Sequence, residues 1–92
     1  MKEILDKYIA KAEELKNALA PMQKTDEIYS KVRELVTEMQ AEAMATKDEM
    51  LHPTLYNAAA TIATAPESCS VRQLSEALEE AMAEMEMMKE YL

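Results

Sequence analysis

The sequence predicts an all-α fold, an antiparallel helical bundle of three long helices and one short helix. Two observations carry this expectation. None of the 92 residues is glycine, the residue on which tight hairpins, strand bulges and left-handed helix caps depend. Leucine, alanine, methionine, glutamate and lysine recur instead at spacings of three and four, the period that puts apolar side chains on one face of a helix. Without glycine the chain also has no phosphate-cradling loop, which removes most enzyme families built on such motifs. The expected organisation is one helical-bundle domain, residues 1–92.

The first helix is expected over residues 2–20. Leu5, Tyr8, Ala12, Leu15 and Leu19 form its stripe, with Ile4 and Ile9 widening it. Glu3 lies four residues before Lys7, the favourable order for a helical ion pair, and Pro21 ends the segment. After a short connection at 22–24, Thr25 is the expected N-cap of the second helix, with Asp26 and Glu27 in the first turn, where the helix dipole favours acids. Ile28, Val32, Leu35, Met39 and Ala43 continue the apolar stripe, with Val36 beside it. This helix is expected to run to about Leu51 and to break at His52, because a residue preceding proline is pushed out of the helical region.

Pro53 suits the first turn of a third, alanine-rich helix through Leu55, Tyr56, Ala58, Ile62 and Ala63. Pro66 should end it, with 67–69 as linker. The fourth helix has the clearest start. Ser70 followed by Gln73 fits a capping box, and Cys69 and Leu74 occupy the positions of a hydrophobic staple. Val71, Leu74, Leu78, Ala81, Met85, Met88 and Leu92 then make a seam of three heptads, with Met82 at a flanking position.

Charge narrows the choice of partners. The formal net charge is −8, unsuited to direct nucleic-acid contact, where lysine and arginine displace counterions. An anionic membrane surface is disfavoured for the same reason, and a basic protein surface is favoured. The uncharged stretch 53–66 is too short and too polar to span a bilayer. The single cysteine, Cys69, has no intramolecular partner. With no secretory signal at the N-terminus, the expected compartment is the cytoplasm.

The acid excess falls on two segments. Seven acids oppose three bases over 26–52 and six oppose two over 70–92. Glu34, Glu38 and Glu42 are spaced by four, as are Glu76, Glu80 and Glu84. The four aromatic residues are all tyrosines, so the core must come from aliphatics and methionine, which pack adaptably but specify weakly. Met87 and Tyr91 lie off the fourth-helix seam, and exposed Met and Tyr suit adaptable protein-binding surfaces. The expected function is therefore protein–protein binding, as an adaptor, chaperone, regulator or inhibitor without catalysis and without a cofactor. Met82, Met87 and Tyr91 would supply apolar contacts, and Glu76, Glu80 and Glu84 would steer a basic partner, with a homodimer as the accompanying expectation.

Two alternatives follow from the same residues. One is acidic mimicry of a nucleic acid, inhibiting a DNA- or RNA-binding protein as a phage-type anti-defence protein would. The other is a metal-carboxylate helical protein. Glu49 and His52 form a Glu-x-x-His half-motif of the kind that di-iron bundles project inward. His52 is the only histidine, so histidine-dependent nucleophilic catalysis would rest wholly on it.

Overall fold

The computed structural model describes residues 2–19, 26–65 and 70–91. Four helices follow in order: α1 (Lys2–Leu19), α2 (Asp26–Ala45), α3 (Leu51–Ala63) and α4 (Val71–Lys89), with no strand among the described residues. Each apolar stripe turns inward. Leu5, Tyr8, Ala12 and Leu19 of α1, Met39 and Ala43 of α2, Leu55, Ala58, Ala59 and Ile62 of α3, and Leu74, Leu78, Ala81 and Met85 of α4 share one buried cluster. Val71 and Met82 are half-buried against it.

Cross-helix contacts fix the helix directions. Lys11 pairs with Glu38 and Lys7 with Glu42 across α1 and α2. Lys16 pairs with Glu79, and Asp6 with Lys89, across α1 and α4. Tyr29 Oη donates to the Ala65 carbonyl at 2.9 Å beside the end of α3, while His52 meets the Ala43 carbonyl at its start. In each case the residue number falls on one helix as it rises on the other, so the neighbours are antiparallel. The packing closes as α1–α2–α3–α4 and back to α1. The start of α1, the end of α2, the start of α3 and the end of α4 consequently share one end of the bundle.

The seam between α1 and α2 is the loosest of the four, and charged groups span it. Lys11 Nζ reaches both Glu38 carboxylate oxygens at 2.8 Å and holds that carboxyl below its usual range. The Tyr8 phenol donates to Glu42 at 3.5 Å, and Lys7 Nζ lies 4.7 Å from the ring centroid. Burial, followed by the negative charges of Glu42 and Glu38, pushes that phenol up to about 12.

The capping box at Ser70 is present in full. Ser70 Oγ accepts from the Gln73 N–H at 3.2 Å, and the Gln73 side-chain oxygen accepts from the Ser70 N–H at 3.0 Å. The stop at Pro21, the connection at 22–24, the Thr25 cap, the side chains of Asp26 and Glu27, the stop at Pro66, the Cys69 staple and Leu92 all lie outside the described residues.

The boundary between α2 and α3 differs from the sequence expectation. Helix α2 ends at Ala45 rather than near Leu51, and α3 begins at Leu51, ahead of Pro53. The cause is Asp48. Its carboxylate accepts from the Met50 and Leu51 N–H groups at 2.9 and 2.8 Å, and its carbonyl accepts from the His52 N–H at 3.1 Å. That is the hydrogen-bonding pattern of an N-cap residue. Thr46 Oγ1 in turn accepts from the Asp48 N–H at 3.2 Å. Acceptors on Thr46 and Asp48 thus give the backbone a satisfied way out of the helix five residues before proline would force one.

Candidate partner-binding surface

Helix α3 carries no acidic or basic residue apart from His52, in a chain otherwise dense with charge. Its inner stripe is buried, while Pro53, Tyr56, Asn57, Ala60, Ala63 and the following Thr64 face outward and are exposed. Tyr56 stands out from this face, at 52% exposed, among mostly smaller side chains.

Alongside it runs the outer flank of α4. At 100° per residue, Glu76, Glu80, Glu84, Met87 and Tyr91 fall within an arc of roughly 80°, a single stripe bordering α3. Two shallow clefts mark the line between the helices. One is lined by Pro53, Thr54, Asn57, Glu84, Met87 and Met88, the other by Thr64, Ala65, Gln73, Glu76, Ala77 and Glu80. The sequence-derived residues Glu76, Glu80, Glu84 and Met87 therefore line one surface, and Tyr91 follows in the turn after α4.

Met82 does not join them. It lies three residues after Glu79 and seven before Lys89, both of which pair with α1, so it occupies the opposite flank. There it is half-buried against the core. The seam register explains this, because a position flanking the heptad core on the α1 side is covered by the neighbouring helix.

The stripe is chemically divided along its length. Met87 and Tyr91 are 60% and 67% exposed, far more than the half-buried Met88 beside them. Glu84 accepts from Thr61 Oγ1 at 3.0 and 3.2 Å, which fixes its carboxylate over the α3–α4 line. Glu76 pairs with the exposed Arg72 one turn away on the same helix. The apolar end is thus formed by the close of α4 and the acidic end by its beginning.

Three further exposed apolar side chains, Met44, Met50 and Tyr56, were not among the residues expected to bind a partner. All lie toward the end where α2 closes and α3 opens. Met44 follows the buried Ala43 by one residue, off the stripe, which is the signal that would have found it. Met39 and Met85 are fully buried, so methionine serves both core and surface here.

His52 of the Glu-x-x-His half-motif has a local role in the bundle. A carbonyl can only accept, so the His52 Nδ1 position beside the Ala43 carbonyl carries the proton and donates. That carbonyl belongs to the last turn of α2, where no intrahelical donor follows. The ring also stacks on Tyr56, with centroids 6.3 Å apart. Among the described residues no three of histidine, cysteine, aspartate and glutamate are grouped closely enough to hold a metal, and no helix is long and apolar enough to cross a membrane. Compared with family models, with curated proteins and with solved structures, the chain matches none.

Proposed function

We propose that this chain is a protein-binding module without catalytic chemistry, which receives a basic partner on the surface formed by α3 and the outer flank of α4. One observation carries the reading: Met87 and Tyr91 are exposed on the flank of α4 that carries Glu76, Glu80 and Glu84, beside α3, which has no Asp, Glu, Lys or Arg. Exposed methionine and tyrosine provide contact area, and carboxylates nearby favour lysine and arginine on the partner and speed encounter.

Nucleic-acid mimicry draws less support, since it needs two carboxylate rows on one face. Glu38 and Glu42 instead turn toward α1, where Lys11 and Lys7 neutralise them. A second copy of the chain is favoured by Met44 and Met50, exposed at the bundle end where α2 closes and α3 opens.

Affinity capture from the source cells tests the reading with three baits: the parent chain, Met87→Lys/Tyr91→Lys, and Glu76→Lys/Glu80→Lys. A protein held by the parent, released by raised salt and lost from both variants is the expected result. Equal recovery on all three baits, with helicity unchanged by circular dichroism, would refute it. Sedimentation equilibrium of the pure chain and of Met44→Glu decides the self-association arm.

A further inference from the structure

We infer that the occupant of the α3–α4 surface is a single amphipathic helix of about four turns, laid along the groove as a fifth helix, apolar at one end and basic at the other. The inference rests on the protein-binding reading above and specifies its partner. Three features of the surface lead to it.

The first is length and shape. From Tyr91 to Glu76 the stripe runs fifteen residues, about 22 Å at 1.5 Å per residue, which matches four turns of a straight helix. On the α3 side the two clefts along this line are lined by Pro53, Thr54 and Asn57 and by Thr64 and Ala65, most of them small. Small side chains on a helix surface let another helix approach closely, with ridges seated in grooves.

The second is the backbone accounting. A peptide bound as an added strand takes its affinity from main-chain partners on a sheet edge, and no strand exists among the described residues. The threonine hydroxyls along this line already donate within the fold. Thr61 Oγ1 serves the Asn57 carbonyl and Glu84, and Thr64 Oγ1 donates to the Thr61 carbonyl. A helix satisfies its own backbone and asks of this surface only packing and charge, which are what it offers.

The third is the order of chemistry along the groove. Met87 and Tyr91 offer apolar contact at one end, while Glu76 and Glu80 set negative charge at the other beside the neutral face of α3. An occupant with leucine or methionine at i, i+3 and i+4 in one half, and lysine or arginine continuing the same stripe in the other, meets both. A second copy of this chain lacks that complement, because each of its helices with excess charge is acidic.

The test uses a fluorescein-labelled synthetic 18-residue helix with leucines on one half of its stripe and lysines on the other. A control peptide of identical composition has the order scrambled. Fluorescence anisotropy should show the patterned peptide binding at least tenfold more tightly than the scrambled one. Asn57→Trp, which fills one of the α3–α4 clefts at an exposed position, should weaken binding at least tenfold with the thermal midpoint unchanged. Asn57→Lys gives a second obstruction should the tryptophan variant misfold. Equal binding of both peptides, no binding of either, or indifference to both Asn57 variants would overturn the inference. Should Met87→Lys/Tyr91→Lys still abolish binding while the Asn57 variants do not, the groove-bound helix falls and the partner surface on α4 stands. Indifference to every variant removes both.

Discussion

Asp48 is where the structure departs most from sequence expectation, and replacing it measures what redirects the chain there. Asp48→Ala removes the acceptor for two backbone N–H groups, those of Met50 and Leu51 at 2.9 and 2.8 Å. The Met50 N–H is exposed and regains water. The Leu51 N–H is part-buried, above a side chain that is 1% exposed, and is poorly placed to do so. Losing an N-cap acceptor costs about 1 kcal/mol, within a range of roughly 0.5–2. For a domain of this size each kcal/mol lowers the thermal midpoint by about 4–8 °C. Asp48→Asn keeps an acceptor oxygen and gives up only the charge near the helix start, worth about 0.3–1 kcal/mol. Urea unfolding followed at 222 nm should therefore rank parent, Asn, Ala, with the denaturant slope constant and the midpoint falling. An alanine variant as stable as the parent would refute the capping account. An asparagine variant as weak as alanine would show that charge, rather than the acceptor, sets the turn.

Alkaline titration offers a second check. The folded chain holds the Tyr8 proton to about pH 12, against an ordinary value of 10, so the unfolded chain releases it first. The stabilisation is complete below pH 10 and is lost as pH rises through about 12; Tyr8→Phe should flatten that decline, and an unchanged decline would count against the buried phenol. Met85→Ala empties a fully buried position and should cost about 2–5 kcal/mol, whereas Met44→Ala at a 74% exposed position should stay within about 0.5 kcal/mol in the same urea assay. Lys11→Met removes an exposed α1–α2 ion pair with Glu38 and should change stability by less than about 1 kcal/mol, with the difference shrinking in high salt. His52→Ala withdraws the donor from the Ala43 carbonyl and should cost roughly 0.5–1.5 kcal/mol, read as a lower urea midpoint.

Much of the architecture was legible in the residues because helical periodicity is a local property. Leu5, Tyr8, Ala12 and Leu19 lie on one side of α1 whatever it packs against, and all four are buried. Ser70 and Gln73 are three residues apart, so their reciprocal cap could be read as a pattern. The α2–α3 turn was misjudged because Pro53 drew the boundary toward itself, while Asp48, standing in an acidic run of ordinary appearance, already ended the helix. An aspartate two residues ahead of an apolar pair is a weaker mark on paper than a proline, yet its carboxylate holds two amides.

For the candidate surface, sequence spacing placed Glu76, Glu80, Glu84, Met87 and Tyr91 on one stripe of α4, since that follows from 3.6 residues per turn. It was silent on which flank of α4 faces α1 and which faces α3. Only the packing order settled that, burying Met82 against the core on one side and leaving Met87 exposed on the other. Likewise, composition along the chain made α3 uncharged, but antiparallel closure of the four helices set that neutral face beside the acidic and apolar stripe of α4. Periodicity fixes which residues share a face of one rod. Which rods become neighbours depends on how four stripes bury each other best, a property of the whole chain that no short span of residues contains.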